Sequence, residues 1–205
     1  GSAAYGELKV TSAALELLGN PAGGCAGLLS LWVRNASGEI LDGHLAVLAR
    51  GCPRLRSLRV DHNRGITGAG LEEVARRCTD LTELWAERTK GSQATLRALL
   101  DLRSFSALTV SGWAGIGDDS LRMVAESTSA PRLKNLCLCG ASGPSTTTEP
   151  TLRLVARSCP QLVFLQCAKV AAPPANLYEY EYNHQLQSMF ERHCPNFSSF
   201  MATSF

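Results

Sequence analysis

The sequence lacks any apolar run approaching the roughly 18 residues needed to cross a membrane, and it lacks a secretory signal peptide. It also lacks a strong charge of either sign, because the net charge is only +2 and basic residues are interspersed with acidic ones. A nucleic-acid-binding domain usually carries a clear basic stripe. We therefore expect no membrane partner and do not favour nucleic acid as a ligand.

Motifs for catalysis and for metal binding are missing as well. The sequence contains no P-loop, nucleophile elbow or zinc-protease helix. No Cys-x-x-Cys or His-x-x-x-His pair offers metal ligands. The four histidines are dispersed along the chain, at His44, His62, His184 and His193. We therefore expect neither enzymatic activity nor a cofactor.

What the sequence does contain is a repeat of leucine, any residue and a small apolar residue. Successive copies begin 23, 27, 26, 24, 28, 29 and 35 residues apart, mostly within the about 20 to 29 residues of a leucine-rich repeat. An apolar residue three positions earlier completes the L-x-x-L-x-L pattern in nearly every copy. The copies are Leu8-Lys9-Val10, Leu31-Trp32-Val33, Leu58-Arg59-Val60, Leu84-Trp85-Ala86, Leu108-Thr109-Val110, Leu136-Cys137-Leu138, Leu165-Gln166-Cys167 and Phe200-Met201-Ala202.

Helices are predicted between these strands, because apolar residues recur there at spacings of three, four and seven. One such cluster comprises Leu71, Val74, Ala75 and Cys78. A single strand-and-helix unit cannot bury its own apolar face, so neighbouring units must stack. We predict one right-handed α/β leucine-rich-repeat solenoid over residues 3–205, with an inner parallel sheet of about eight strands and outer helices. Residues 1–2 are interpreted as an expression scar.

Two segments around the helix starts resemble the cysteine-containing leucine-rich repeats of F-box proteins. They are residues 40–55, which read ILDGHLAVLARGCPRL, and residues 66–78, which read ITGAGLEEVARRC. The resemblance implies a substrate-recruiting arm of an F-box ubiquitin ligase that binds a protein substrate or peptide degron. No segment resembles an F-box, so Skp1 and cullin would be bound by a region outside this chain. A natural N-terminal neighbour, such as an F-box or a cap, is expected.

The cysteines fit this resemblance. Five of them, Cys25, Cys52, Cys78, Cys159 and Cys194, occupy the same slot of the repeat before a strand. A buried thiol behaves there as a small apolar group. We predict structural thiols rather than disulfides, and hence a cytoplasmic or nuclear protein.

Three departures from the repeat are predicted. The repeat after Cys78 is polar in its middle, which predicts a helix of only two turns. Residues 140–150 and 169–184 are predicted as insertion loops from their breaker residues and lack of helical period. The second loop carries Tyr178, Tyr180 and Tyr182, which we interpret as a second partner contact or as a cover for the inner face.

The inner face of the sheet is the candidate binding site. Side chains alternate along a strand, so the residues between the core leucines point to this concave side. Trp32 and Trp85 should stand about 10 Å apart there with Arg59 between them, because neighbouring strands are about 4.8 Å apart. Tryptophan and arginine are enriched in interface hot spots. The predicted contact residues are Trp32, Arg34, Arg59, Asp61, Trp85, Glu87, Thr109, Ser111 and Cys137.

The sequence leaves several alternatives open. An N-terminal segment would be able to cover Trp32. Trp113 is interpreted equally as a residue that fills the core or as a binding residue. A leucine-rich-repeat scaffold without ligase function is the second interpretation of the chain. A third is an RNA-binding solenoid, in which the tryptophans stack on bases while Arg34 and Arg59 contact phosphates.

Overall fold

The computed structural model describes residues 11–20, 25–33, 40–140, 146–167, 170–171 and 178–202. Strands and helices alternate along these residues. The strands are β1 (Ser30–Trp32), β2 (Ser57–Arg59), β3 (Glu83–Glu87), β4 (Ala107–Trp113), β5 (Asn135–Gly140), β6 (Phe164–Cys167) and β7 (Ser199–Ala202). The helices are α1 (Ser12–Leu18), α2 (Asp42–Gly51), α3 (Gly68–Arg77), α4 (Gln93–Leu100), α5 (Asp118–Glu126), α6 (Glu149–Ser158) and α7 (Glu179–His193).

The strands form one parallel sheet whose order, β1 to β7, is the order of the chain. A row of paired apolar residues crosses it: Leu31, Leu58, Leu84, Leu108, Leu136, Leu165 and Phe200. From Leu58 to Leu165 these leucines are at most 1% exposed, and burying each contributes about 1.5 to 3 kcal/mol. The predicted leucine-rich-repeat solenoid is confirmed. The strand predicted at Leu8–Val10 lies outside the described residues.

The helices lie against one face of the sheet and use the apolar stripes seen in the sequence. In α3, for example, Leu71, Val74 and Ala75 are buried while Arg76 is exposed. Helix α4 has only 8 residues, as predicted from the polar segment before it. In the described part of the chain, every helix is too short or too polar to span a bilayer.

Four of the five cysteines in the common slot end a helix. Cys52, Cys78, Cys159 and Cys194 are the C-cap residues of α2, α3, α6 and α7, and all four are buried. The Cys78 thiol donates to the carbonyl of Cys52 at 3.5 Å, and the Cys194 thiol donates to the carbonyl of Cys159 at 3.2 Å. These thiols therefore join the helix end of one repeat to the helix end of the previous one.

Cys25 does not follow that rule. Helix α1 ends at Leu18, and Gly19 is its C-cap residue. Cys25 lies six positions beyond this cap and is exposed. The prediction of a buried thiol at Cys25 is wrong, because the repeat that contains it ends its helix early.

Trp113 is a core residue, which resolves the alternative left open by the sequence. Its side chain is 0% exposed, and its indole N–H donates to the hydroxyl of Thr89 at 2.9 Å. Gly112 and Gly115 both have positive φ, at 77° and 72°, a conformation that glycine adopts at little cost. The turn around Trp113 therefore directs its ring into the core.

Each predicted insertion loop overlaps a helix at its C-terminal end, while residues 141–145, 169 and 172–177 of these loops lie outside the described residues. Helix α6 starts at Glu149, with Thr148 as its N-cap residue. Helix α7 starts at Glu179, so residues 179–184 are helical rather than a loop. Tyr182 belongs to a buried stripe with Leu186, Met189 and Phe190. Leu186, Met189 and Phe190 follow Tyr182 by four, seven and eight residues, which is a helical spacing. The alternating tyrosines and glutamates at the start of α7 hide this spacing in the sequence.

Candidate protein-interaction surface

The sheet has a second face that the helices do not cover, which we call the open face. It carries the residues that alternate with the core leucines, and these are partly exposed on β2 and β3. The pairing register places them in rows that run across the strands. One row consists of Trp32, Arg59, Trp85, Thr109, Cys137, Gln166 and Met201.

The first three members of that row form an aromatic cluster, defined as Trp32, Arg59 and Trp85. The guanidinium carbon of Arg59 lies 4.7 Å from the ring centroid of Trp32 and 5.9 Å from that of Trp85. A cation over an indole ring contributes about 0.5 to 2 kcal/mol, depending on its exposure to water. The indole of Trp32 is nevertheless 57% exposed. The three side chains are thus arranged as predicted, and the ring of Trp32 faces solvent.

Asp61 is predicted to be a contact residue on this face, and the structure contradicts that. Strand β2 ends at Arg59, so alternation no longer applies two residues later, and Asp61 lies in a turn where it is only 1% exposed. Its carboxylate forms an ion pair with Arg59 and accepts a hydrogen bond from the backbone N–H of Glu87 at 3.1 Å. Asp61 therefore fixes the position of Arg59 rather than meeting a partner.

Two further carboxylates flank the aromatic cluster on β3. The Glu83 carboxylate accepts a hydrogen bond from the hydroxyl of Ser57 at 3.4 Å. Glu87 lies opposite Ser111 in the strand pairing of β3 with β4. Among the described residues, neither Glu83 nor Glu87 has a basic group within ion-pair distance. Since Asp61 already neutralises Arg59, the described residues around the aromatic cluster have an excess of negative charge.

The far side of the open face carries two thiols of β5. Cys137 is predicted as a contact residue, but it is only 8% exposed, because Gln166 and Cys139 lie against it. Its sulfur is 3.3 Å from Oε1 of Gln166 and 3.7 Å from the sulfur of Cys139, which is partly exposed. In the described part of the chain, no group of three or more His, Cys, Asp or Glu side chains is placed to hold a metal ion.

The other predicted contacts are distributed unevenly. Thr109 and Ser111 lie on β4 and are partly exposed, as expected. Arg34 lies outside the described residues. Tyr178 and Tyr180 are exposed at the start of α7, while Tyr182 is buried in the core and provides no contact surface. The structure thus groups Trp32, Arg59, Trp85, Glu87, Thr109 and Ser111 on the open face.

Sequence reasoning missed a buried residue that supports this region. Asn63 is 0% exposed, and its amide donates to the carbonyls of Val33, Val60 and Asp61 at 3.2, 3.0 and 3.2 Å. It thereby links the ends of β1 and β2 next to the aromatic cluster. A signal was available, because Asn63 follows Val60 at the same offset as Trp113 follows Val110.

A groove of about 500 Å³ lies on the helical side, between α4 and α5. The short helix α4 forms one side of this groove. Its charges oppose one another, with Arg97 and Arg122 against Asp101, Asp119 and Glu126. This groove therefore favours neither an anionic nor a cationic ligand, and the open face is the better candidate site.

Comparison with known proteins gave similarity only at the level of structure. No family model and no curated protein matches the sequence. The tropomodulin C-terminal domain from Caenorhabditis elegans matches with 14% identity over 65% of this chain and 83% of its own, at a TM-score of 0.48. The yeast Rad7 and Elc1 complex contains a chain that matches with 13% identity over 96% of this chain and 75% of its own, at a TM-score of 0.29. The assignment to the leucine-rich-repeat fold rests on this chain's own repeat and sheet.

Proposed function

We propose that this chain is a protein-recognition domain that binds its partner on the open face, around the aromatic cluster. The observation that carries this proposal is the exposed indole of Trp32, held beside Arg59 in line with Trp85. An indole left in water contributes little to folding, whereas covering it with a partner removes a large apolar area from water. Exposed aromatic side chains with arginine are also typical of binding hot spots.

The partner is expected to carry positive charge next to an apolar anchor. Glu83 and Glu87 border the aromatic cluster without basic partners among the described residues, and Asp61 neutralises Arg59. A lysine or arginine of the partner would complement these two carboxylates, while an apolar side chain would pack on Trp32. Complementary charge of this kind determines which partner is accepted more than it determines raw affinity.

The same charges oppose the RNA-binding alternative. RNA affinity depends on lysine and arginine side chains that neutralise phosphates. The contact residues described on the open face provide one arginine, which is already paired, and two carboxylates that would repel phosphates. Binding to the partner should therefore show little of the steep salt dependence that phosphate contacts produce.

We further propose that the recognised partner is a substrate of an F-box ubiquitin ligase, with this chain as the recruiting arm. The support is the resemblance of residues 40–55 and 66–78 to the repeats of F-box proteins. In this role the chain performs no chemistry of its own and acts in the cytoplasm or nucleus. A leucine-rich-repeat scaffold without ligase partners remains the second candidate function, because the open face would serve it equally well.

The binding proposal predicts that the aromatic cluster dominates affinity. Trp32→Ala and Trp85→Ala should each weaken binding by about 2 kcal/mol, or roughly thirtyfold in Kd. Trp32→Ala should lower the free energy of unfolding by only about 1 kcal/mol or less, because its ring is exposed. The partner is obtained by affinity purification with the full-length protein, and Kd is then measured by calorimetry with the purified partner.

A matched control separates a specific surface from general stickiness. Leu17 and Leu154 are exposed apolar residues on helices α1 and α6, and the double variant Leu17→Ala, Leu154→Ala should leave Kd unchanged. Equal weakening by this control would contradict the open-face proposal. Recovery of Skp1 and cullin with the full-length protein would support the ligase role, whereas their absence would leave the scaffold role.

A further inference from the structure

The eight cysteines differ strongly in their surroundings. Five are buried in the core or at helix ends, at Cys52, Cys78, Cys159, Cys167 and Cys194. Burial raises the pKa of the Cys78 thiol to about 11 and that of the Cys159 thiol to about 12. Because the thiolate is the reactive form, such thiols are inert at neutral pH. The remaining three are Cys25, which is exposed, and the pair on β5.

The pair on β5 combines a buried thiol with an accessible one. Cys137 and Cys139 occupy the same side of one strand, and their sulfurs are 3.7 Å apart. The S–H of Cys137 donates to Oε1 of Gln166 at 3.3 Å, and when Cys139 is ionised it can turn to donate to the stronger acceptor, the Cys139 thiolate. This hydrogen bond lowers the pKa of the Cys139 thiol, and the same bond, together with burial, raises the pKa of the Cys137 thiol. The structure thus provides one activated and one protected sulfur.

Other titratable groups near the pair are few. Glu87 on β3 opposes ionisation of Cys139, and so does the partial burial of Cys139 itself. Cys167 on β6 also interacts with Cys139, and burial raises the pKa of Cys167 to about 12, so it stays protonated. The hydrogen bond from Cys137 is the largest of these effects on the pKa of Cys139.

We propose that Cys139 is a modification site that exchanges with small disulfides, and that Cys137 is its positioning residue. The Cys139 thiolate attacks one sulfur of a disulfide R–S–S–R. The bond between the two R-bound sulfurs breaks, a bond forms between Cys139 Sγ and one of them, and the other half leaves as a thiolate that takes a proton from water. The protein thiol is oxidised, and the small disulfide supplies the oxidising equivalents.

The product is expected to remain a mixed disulfide rather than to close onto Cys137. Residues two apart on a strand have Cα atoms about 6.6 Å apart, close to the upper limit of about 6.8 Å for a disulfide. Strand β5 is also hydrogen-bonded to β4 and β6 on its two sides. The strand therefore resists shortening toward the about 5.5 to 6 Å at which most disulfides form.

Modification here would alter the open face directly. Cys137 lies in the row of the aromatic cluster, two strands from Trp85, and Cys139 lies in the row of Ser111 and Glu87. A group attached to Cys139 would stand beside the surface that we propose binds the partner. The chemical reactivity of Cys139 does not depend on that proposal, so the two are tested separately.

The test uses 2,2′-dithiodipyridine as the disulfide, since each exchange releases a coloured thione. The protein carries Cys25→Ser to remove the exposed thiol of that residue, and the labelled residue is identified by peptide mass spectrometry. We expect one fast equivalent per chain at Cys139, which Cys139→Ser removes. Cys137→Ala should slow this phase about threefold per unit of pKa rise, because the thiolate fraction falls tenfold while its nucleophilicity rises.

Further variants keep the roles distinguishable. Cys137→Ser retains a hydrogen-bond donor and should keep most of the rate, and the midpoint of the rate–pH profile should move upward only in Cys137→Ala. Labelling of Cys139 no faster than Cys25 in the unsubstituted protein would overturn the proposal. So would an unchanged rate in Cys137→Ala, or the appearance of a Cys137–Cys139 disulfide as the main product.

Discussion

Replacing Trp113 with alanine should lower the free energy of unfolding by about 3 to 5 kcal/mol, the range for removing a large buried aromatic side chain. The ring is 0% exposed, and its N–H donates to Thr89, whose hydroxyl in turn donates to the carbonyl of Ala86 at 2.8 Å. Its removal leaves a cavity and an unpaired buried hydroxyl acceptor. The measurement is urea unfolding followed by far-UV circular dichroism.

Gly91 provides the complementary experiment. A Cβ atom at Gly91 would lie 2.3 Å from atoms of the Trp113 ring, so Gly91→Ala must displace the indole. Overpacking of this kind typically costs about 1 to 3 kcal/mol. Gly91→Ala should cost less when it is added to Trp113→Leu than when it is made alone, because the smaller side chain leaves room for the methyl group.

Gly43 is the matched control for the Gly91 substitution. It lies in α2, and a Cβ atom there would meet nothing within 4 Å. Gly43→Ala should be neutral or should stabilise the protein by up to about 1 kcal/mol, since alanine is the better helix former. A loss at Gly91 no larger than the effect at Gly43 would show that Trp113 does not fill the space assigned to it.

Replacing Arg59 with methionine should destabilise the protein by about 3 kcal/mol, because it leaves the Asp61 carboxylate buried without its counter-ion. The Asp61 side chain is only 2% exposed, whereas that of Arg59 is 37% exposed. This exposure places the expected loss at the lower end of the roughly 3 to 5 kcal/mol for breaking a buried pair. Asp61→Asn should cost less, because it removes the buried charge and keeps an oxygen for the N–H of Glu87.

A double-mutant cycle measures this coupling. The double variant Arg59→Met, Asp61→Asn should be more stable than Arg59→Met alone, since no uncompensated charge remains. The free energies of unfolding come from urea titrations of the four proteins at one pH and ionic strength. Strictly additive losses would mean that the ion pair between Arg59 and Asp61 contributes nothing to stability. Asp61 would then not hold Arg59 in place within the aromatic cluster.

Much of the open face is predictable because two simple rules apply together. Side chains alternate along a strand, and strands that occupy the same position in stacked repeats pair in register. Trp32, Arg59 and Trp85 follow the core leucine of their repeats at the same offset. The repeat period alone therefore predicts that these three side chains lie side by side.

The predictions from sequence are wrong where a strand or a helix ends or begins earlier than the repeat implies. Asp61 is buried because β2 stops at Arg59. Cys25 is exposed because α1 ends at Leu18, and Tyr182 is buried because α7 already begins at Glu179. Element boundaries depend on caps and on contacts with neighbouring repeats, which a single repeat does not encode.

The sequence by itself determined the architecture: a periodic pattern of leucines specifies stacked strand-and-helix units, because each unit must bury its apolar face on the next. It also determined which side chains lie in the row of the aromatic cluster. Only the tertiary structure decided how those side chains are used. The ion pair of Arg59 with Asp61, the core position of Trp113 beside Gly91 and the contact of Cys137 with Cys139 all depend on distances of a few ångströms. Burial and hydrogen bonding at that scale arise between neighbouring repeats or at strand ends, so periodicity alone does not specify them.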